Sequence, residues 1–212
     1  MQRKSEAAPC VSEGVFFAAA AEIIAAGKFL AAKGWAPATS GNYSMRLEDG
    51  RIAMTVSGHE KGELTAEAIM LLDKDGSPLD KRTPSAEAAL HVDIYQARPE
   101  CRAVLHTHSQ GATVFTRRHS GLNALELTDY EFLKVYPGIH THDARVEVPI
   151  FANTQDMPAL RAAAAPHVRS GGVPAYLIRS HGLYGWGNTM AQARRVVEAT
   201  EFMIACELEL RR

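Results

Sequence analysis

Short apolar runs and alanine-rich helical stretches alternate along the whole 212-residue chain, and this alternation limits its fold more than any other feature. Glu13 to Lys33 carries Phe16, Ile23, Ile24, Phe29 and Leu30 at helical spacing before Gly34, which predicts an amphipathic helix. Strands are expected over Gly41 to Leu47, Ile52 to Ser57 and Ile69 to Leu72, the first two joined by the turn residues Glu48-Asp49-Gly50. Ser85 to Ala97 predicts a helix with Ser85 as N-cap after Pro84. Ala103 to His108 reads as a strand and Gly111 to Arg118 as a helix, with a further helix over Glu126 to Val135. Val146 to Phe151 and Ala175 to Arg179 read as strands, Met157 to Val168 as a helix, and His181 to Gly187 as a turn before a closing helix from Thr189 towards Leu210. The order follows no strict strand–helix–strand beat, so a mixed sheet covered by helices is expected.

There are no repeats and no low-complexity linkers, so residues 13–212 are expected to form one domain behind a flexible tail of residues 1–12. The formal net charge of −1 and the scattered Lys and Arg give no basic face for nucleic acid or a membrane surface. Cys10, Cys101 and Cys206 are too few and too far apart for a disulfide framework or a Cys-x-x-Cys metal site, which suits a reducing compartment. The tail lacks the apolar run of a signal peptide, and Val15 to Ala26 contains Glu22 and is short for a membrane span. A cytoplasmic location is expected.

Nine histidines are more than a core needs. His106 and His108 end an apolar strand, where side chains two apart point to the same face and could reach one ion. An open tetrahedral site wants about three protein ligands, and His181, just after a second apolar strand, is the natural third. His140 and His142 repeat the same His-Thr-His spacing, and spacing does not choose between the two pairs. His59, His91, His119 and His167 read as surface or helix-face residues.

Three small-polar turns, Thr39-Ser40-Gly41-Asn42, Ser57-Gly58 and Pro84-Ser85-Ala86, offer backbone N–H groups, hydroxyls and an amide suited to a phosphate dianion. Lys61 lies near enough in sequence to add a positive charge.

Taken as an ordered set, Thr39-Ser40-Gly41-Asn42, Ser57-Gly58, Ser85-Ala86-Glu87, His106-Thr107-His108-Ser109 and Arg179-Ser180-His181-Gly182 resemble the class II aldolase/adducin family from about Glu13 to Glu209. The resemblance implies a three-layer α/β/α fold with a central mixed, largely antiparallel sheet, and one zinc ion per subunit. It selects His106, His108 and His181 as ligands. Tyr130-Glu131-Phe132-Leu133-Lys134, Asn153-Thr154-Gln155-Asp156 and His181-Gly182-Leu183-Tyr184-Gly185-Trp186-Gly187 look like a dehydratase branch of the family rather than its fuculose or ribulose phosphate enzymes.

The implied substrate is 5-methylthioribulose 1-phosphate, which loses water. Ser40, Gly41, Asn42, Ser57, Gly58, Lys61 and Ser85 are then the expected phosphate-binding residues. Glu131 matches the branch's acid/base, and Glu87 matches an aldolase glutamate that touches the metal and moves protons. The relatives assemble as tetramers with sites near subunit interfaces, so a homotetramer is expected, with neighbours completing each pocket.

Overall fold

Alanine-rich sequence favours the helix at the start of the described chain, α1 (Glu13–Ala32), and Gly34, at φ 74°, turns the chain away after it. The computed structural model describes residues 13–211, and the tail expected over residues 1–12 lies outside them. β1 (Asn42–Arg46) and β2 (Ile52–Thr55) form the expected hairpin and lead to β3 (Ile69–Leu72) and α2 (Ala88–Ala97). Then come β4 (Ala103–Thr107), α3 (Gln110–Arg118), β5 (Ala124–Thr128) and β6 (Arg145–Phe151). The chain ends with α4 (Met157–Ser170), β7 (Ala175–Ile178), β8 (Gly182–Gly187) and α5 (Met190–Leu210), whose N-cap Thr189 accepts from Gln192 N.

The strands form one sheet in the order β3-β2-β1-β4-β8-β7-β6-β5. β6 and β7 run parallel, and every other neighbouring pair runs antiparallel. Because side chains alternate across a strand, the sheet feeds two separate cores. Tyr43, Ala53, Leu105, Leu177 and Leu183 join α1, α3 and α5 on one face. Met54, Val104, Tyr176, Ile178, Tyr184 and Trp186 join α2 and α4 on the other. This is a three-layer α/β/α fold with a largely antiparallel sheet.

α1 matches the helix expected over Glu13 to Lys33, and it is long and apolar enough to cross a bilayer by length and composition. Its Ala19, Ala20, Ile23, Ala26 and Leu30 are buried in the core.

Three local expectations change. The helix expected over Glu126 to Val135 is strand β5, then a left-handed Asp129 (φ 62°), then a 3-10 turn over Glu131–Val135. Leu125 and Leu127 are buried while Glu126 and Thr128 face out, so this is an edge strand with period two. The expected turn over His181 to Gly187 is strand β8, buried throughout and paired with both β4 and β7. Ser85 is not an N-cap: α2 begins at Ala88, and the Ser85 hydroxyl instead accepts from Glu87 N at 3.2 Å.

Candidate metal centre and anion pocket

The site lies where β4 ends and β8 begins. Register sets Asn42 opposite His106, and His106 opposite Tyr184. Even-numbered side chains of β1, β4 and β8 therefore face the α2 layer, and His106 follows that parity. Its ring stacks on Tyr184, with centroids 4.1 Å apart and planes 15° from parallel. Tyr184 packs on that ring, and Trp186 is buried in the same core.

His181 reaches the same point through a tight turn. Ser180 takes a left-handed φ of 56°, and His181 N donates to Ile178 O at 3.1 Å. A non-glycine residue pays for that conformation, and such strain gathers at functional sites. Ala38 (φ 52°) and Thr39 (φ 63°), on the loop facing the same cavity, show it too.

Glu87, His106, His108 and His181 bring one ligand atom each to within 4.8 Å of one another. His106 Nε2 is 3.3 Å from His181 Nε2 and 3.3 Å from Glu87 Oε2, and His181 Nε2 is 3.2 Å from Glu87 Oε1. His106 Nδ1 sits 3.1 Å from Leu183 O. A carbonyl only accepts, so Nδ1 carries the hydrogen and Nε2 presents a lone pair to the cluster. Burial first, then the neighbouring His108 and His181, hold His106 neutral by pushing its pKa well down. Burial and His181 push His108 down to about 4. Three imidazoles and a carboxyl group converging on one point are the donor set a divalent cation takes.

Beside this cluster opens a cavity of about 360 Å³, lined by Ser40, Gly41, Asn42, Ser57, Gly58, Lys61 and Ser85 along with Glu87, His108 and His181. All seven expected phosphate residues meet here. Lys61 is buried, and its ammonium donates to Thr39 O and His59 O at 2.7 Å each, which leaves one hydrogen for a ligand. Burial lowers its pKa. Ser40 Oγ is buried with no partner among the described residues, as a hydroxyl awaiting an anion would be. Asn42 is committed elsewhere: its Nδ2 donates to Ser85 Oγ at 3.1 Å and to Glu87 Oε2 at 2.9 Å. Thr154 and Gln155, from the β6–α4 connection, also line the cavity.

Glu131 is not with them. It is exposed, ion-paired to Lys134, and lines a different cleft with Phe132, Val135, Gln192 and Arg195. Topology explains this. β6 runs parallel to β7, which ends at the site, and β5 runs antiparallel to β6. The residues after β5 therefore emerge at the far end of the sheet. His140 and His142 follow them in the connection to β6; His142 is exposed, its Nε2 3.9 Å from Asp129 Oδ1.

Two buried polar residues escaped the sequence. His91 is fully buried rather than on a helix surface, and burial pushes it down to about 3. Glu201 of α5 accepts from Ser109 Oγ at 2.6 Å and Thr107 Oγ1 at 3.2 Å, gripping the chain on both sides of His108. Burial raises Glu201 to about 7. Spacing within one element reveals neither, because each acts on a partner from another layer.

A helix-covered sheet that aims three imidazoles and a carboxylate at one point, next to an anion-ready cavity, defines a site able to hold a metal ion in an enzyme acting on small anionic substrates. Residues 21–208 match the family described as Class II Aldolase and Adducin N-terminal domain, and the chain belongs to that family. It is 52% identical over 192 residues to the methylthioribulose-1-phosphate dehydratase of Methylococcus capsulatus, covering 90% of this chain and 93% of that one. With the enzyme of the same name from Hahella chejuensis it shares 49% over 195 residues, covering 91% and 94%. Among solved structures, the L-fuculose-1-phosphate aldolase of Thermus thermophilus superposes with a TM-score of 0.74 at 26% identity, covering 91% of this chain and 93% of that one. YgbL of Klebsiella pneumoniae has the same fold, with a TM-score of 0.79 at 23% identity over 92% and 91% of the two chains.

Proposed function

We propose that this chain is a zinc-dependent hydro-lyase that converts 5-methylthioribulose 1-phosphate to 2,3-diketo-5-methylthiopentyl 1-phosphate and water, a step of methionine salvage. The convergence of Glu87, His106, His108 and His181 beside the anion cavity carries this reading. The near-half identity to named dehydratases over most of both chains selects the substrate.

The reaction removes the C3 proton and the C4 hydroxyl, and the resulting enol relaxes to the diketone. His106, His108 and His181 would hold a divalent metal, which would supply Lewis-acid polarisation to the C2 carbonyl. Lys61, Ser40 and the turn at Ser57-Gly58 anchor the phosphate and fix the sugar's register. Glu87, 3.2–3.3 Å from two of the ligand histidines, is placed to exchange a proton with a substrate bound there.

Glu131 is the main acid/base in this reading, protonating the departing C4 hydroxyl. Because it lies at the far end of its own sheet, a neighbouring subunit of a homotetramer supplies it on this reading. Among the described residues the thiols of Cys101 and Cys206 are unpaired, in keeping with a cytoplasmic enzyme.

The test is turnover of 5-methylthioribulose 1-phosphate beside fuculose 1-phosphate and ribulose 5-phosphate. Diketone formation from the first alone supports the assignment. Retro-aldol fragments, or C4 epimerisation of ribulose 5-phosphate, would make the chain an aldolase or an epimerase instead.

A further inference from the structure

Behind Glu87 runs a buried chain of hydrogen bonds that none of the expected roles uses. It starts at Tyr95 OH, 2.8 Å from Ser44 Oγ, and Ser44 Oγ is 2.7 Å from His91 Nδ1. His91 Nε2 is 2.5 Å from Asn42 Oδ1, and Asn42 Nδ2 reaches Ser85 Oγ and Glu87 Oε2. His91, Ser44 and Asn42 are each at most 4% exposed.

The last acceptor fixes the direction of every bond. A carboxylate oxygen accepts, so Asn42 must turn its NH2 toward Glu87 and its carbonyl toward His91. His91 then carries its hydrogen on Nε2 and accepts at Nδ1, where the Ser44 hydroxyl donates. Ser44 in turn accepts from Tyr95. With His91 neutral, each group in the line has its partner and none carries charge before Glu87. Both hydrogens of the Asn42 amide are used, so in this arrangement Asn42 holds the carboxylate rather than the phosphate.

We propose that His91 is a positioning residue for Glu87: it locks the Asn42 amide in the one orientation that donates to Oε2. The carboxylate is thereby held facing His106 and His181. Were the amide to flip, its carbonyl would face Glu87, acceptor against acceptor. This inference rests on the role given to Glu87 above and adds the residue that aims it.

The experiment compares wild type, His91→Phe, Asn42→Ala and the double variant. Each is stripped and titrated with zinc against a competing chelator, then reloaded and assayed with 5-methylthioribulose 1-phosphate. Removing an outer partner of a metal site typically weakens it about 10-fold or more. His91→Phe should therefore raise the zinc dissociation constant about 10-fold and lower kcat by a similar factor, with KM changed less than about 2-fold. Because His91 acts through Asn42, the double variant should lose no more than Asn42→Ala alone. Additive losses, or a rise in KM at unchanged kcat, overturn the proposal.

If His91→Phe does not fold, Ser44→Ala replaces it, leaving the imidazole in place but its tautomer unfixed. A loss that vanishes on the Asn42→Ala background supports the proposal, and an additive or absent loss overturns it. A wild type that neither binds zinc nor forms diketone removes the assigned function, and this inference with it. A competent wild type with additive variants overturns this inference alone.

Discussion

Gly182 lies so close to the main chain of Thr107 that a Cβ at this position would fall 1.8 Å from the Thr107 carbonyl oxygen. That contact joins β8 to β4 between His181 and His106, so the spacing of the two ligands depends on a missing side chain. Gly182→Ala must force the strands apart. Overpacking of this kind typically costs about 1–3 kcal/mol. We expect that loss in chemical denaturation, together with weaker zinc binding in a chelator titration. An alanine variant with wild-type zinc affinity would show that the ligands tolerate the shift.

Removing the metal should abolish turnover and lower thermal stability, and both should return on adding zinc. A ligand present at 100 times its dissociation constant stabilises the native state by about 2.7 kcal/mol. Melting curves before and after chelation measure this difference, and identical curves would mean that no ion is held by the folded protein.

The two acid/base candidates should fail in different ways. Glu87→Gln removes a ligand-capable oxygen from the cluster, so zinc content and turnover should both fall. Glu131→Gln should keep zinc and fold while losing turnover by about 100-fold or more. If Glu131 acts across a subunit boundary, mixing the two inactive variants under conditions that exchange subunits should regain activity, because some pockets then receive both native carboxylates. Mixtures that stay inactive despite confirmed exchange would show that Glu131 does not act across a subunit boundary.

Glu201 predicts a pH signature. Its carboxyl is raised from an ordinary value of 4.5 to about 7 by burial. Between those values the folded state binds more protons than the unfolded state, so stability falls as pH rises through this window and the loss is complete above pH 7. Glu201→Gln has no such titration. The stability difference between variant and wild type should shift in favour of the variant by up to about 3 kcal/mol between pH 4.5 and 8, since one pKa unit is worth about 1.4 kcal/mol. Denaturation of both proteins at the two pH values isolates this group, and a constant difference would show that Glu201 does not titrate there.

How far the sequence could be read depended on whether a residue's role lay within its own element. β3 is legible to the residue, and the parity that aims His106 follows from strand geometry, whereas His108 lies one residue beyond β4. β8 was hidden because three of its six residues are glycine, which reads as a turn. Those glycines serve close packing: a Cβ on Gly185 would meet Val197 at 2.7 Å, and one on Gly187 would meet Ala193 N at 2.8 Å, both on α5. β5 was hidden because an edge strand of five residues followed by a 3-10 turn imitates one irregular helix. For Glu131 the local sequence is silent about which end of the sheet receives it. That depends on the parallel pairing of β6 with β7, a choice made between distant segments.

The pairing of β4 with β8 also governs when the protein can capture its ion. His106 and His181 are separated by 75 positions, so a chain still being synthesised offers no more than Glu87 and the His106/His108 pair until His181 emerges. Two helices and three intervening strands must be in place before the third imidazole arrives. Metal loading is therefore expected late, with binding energy that seals chains already folded rather than templating those that are not.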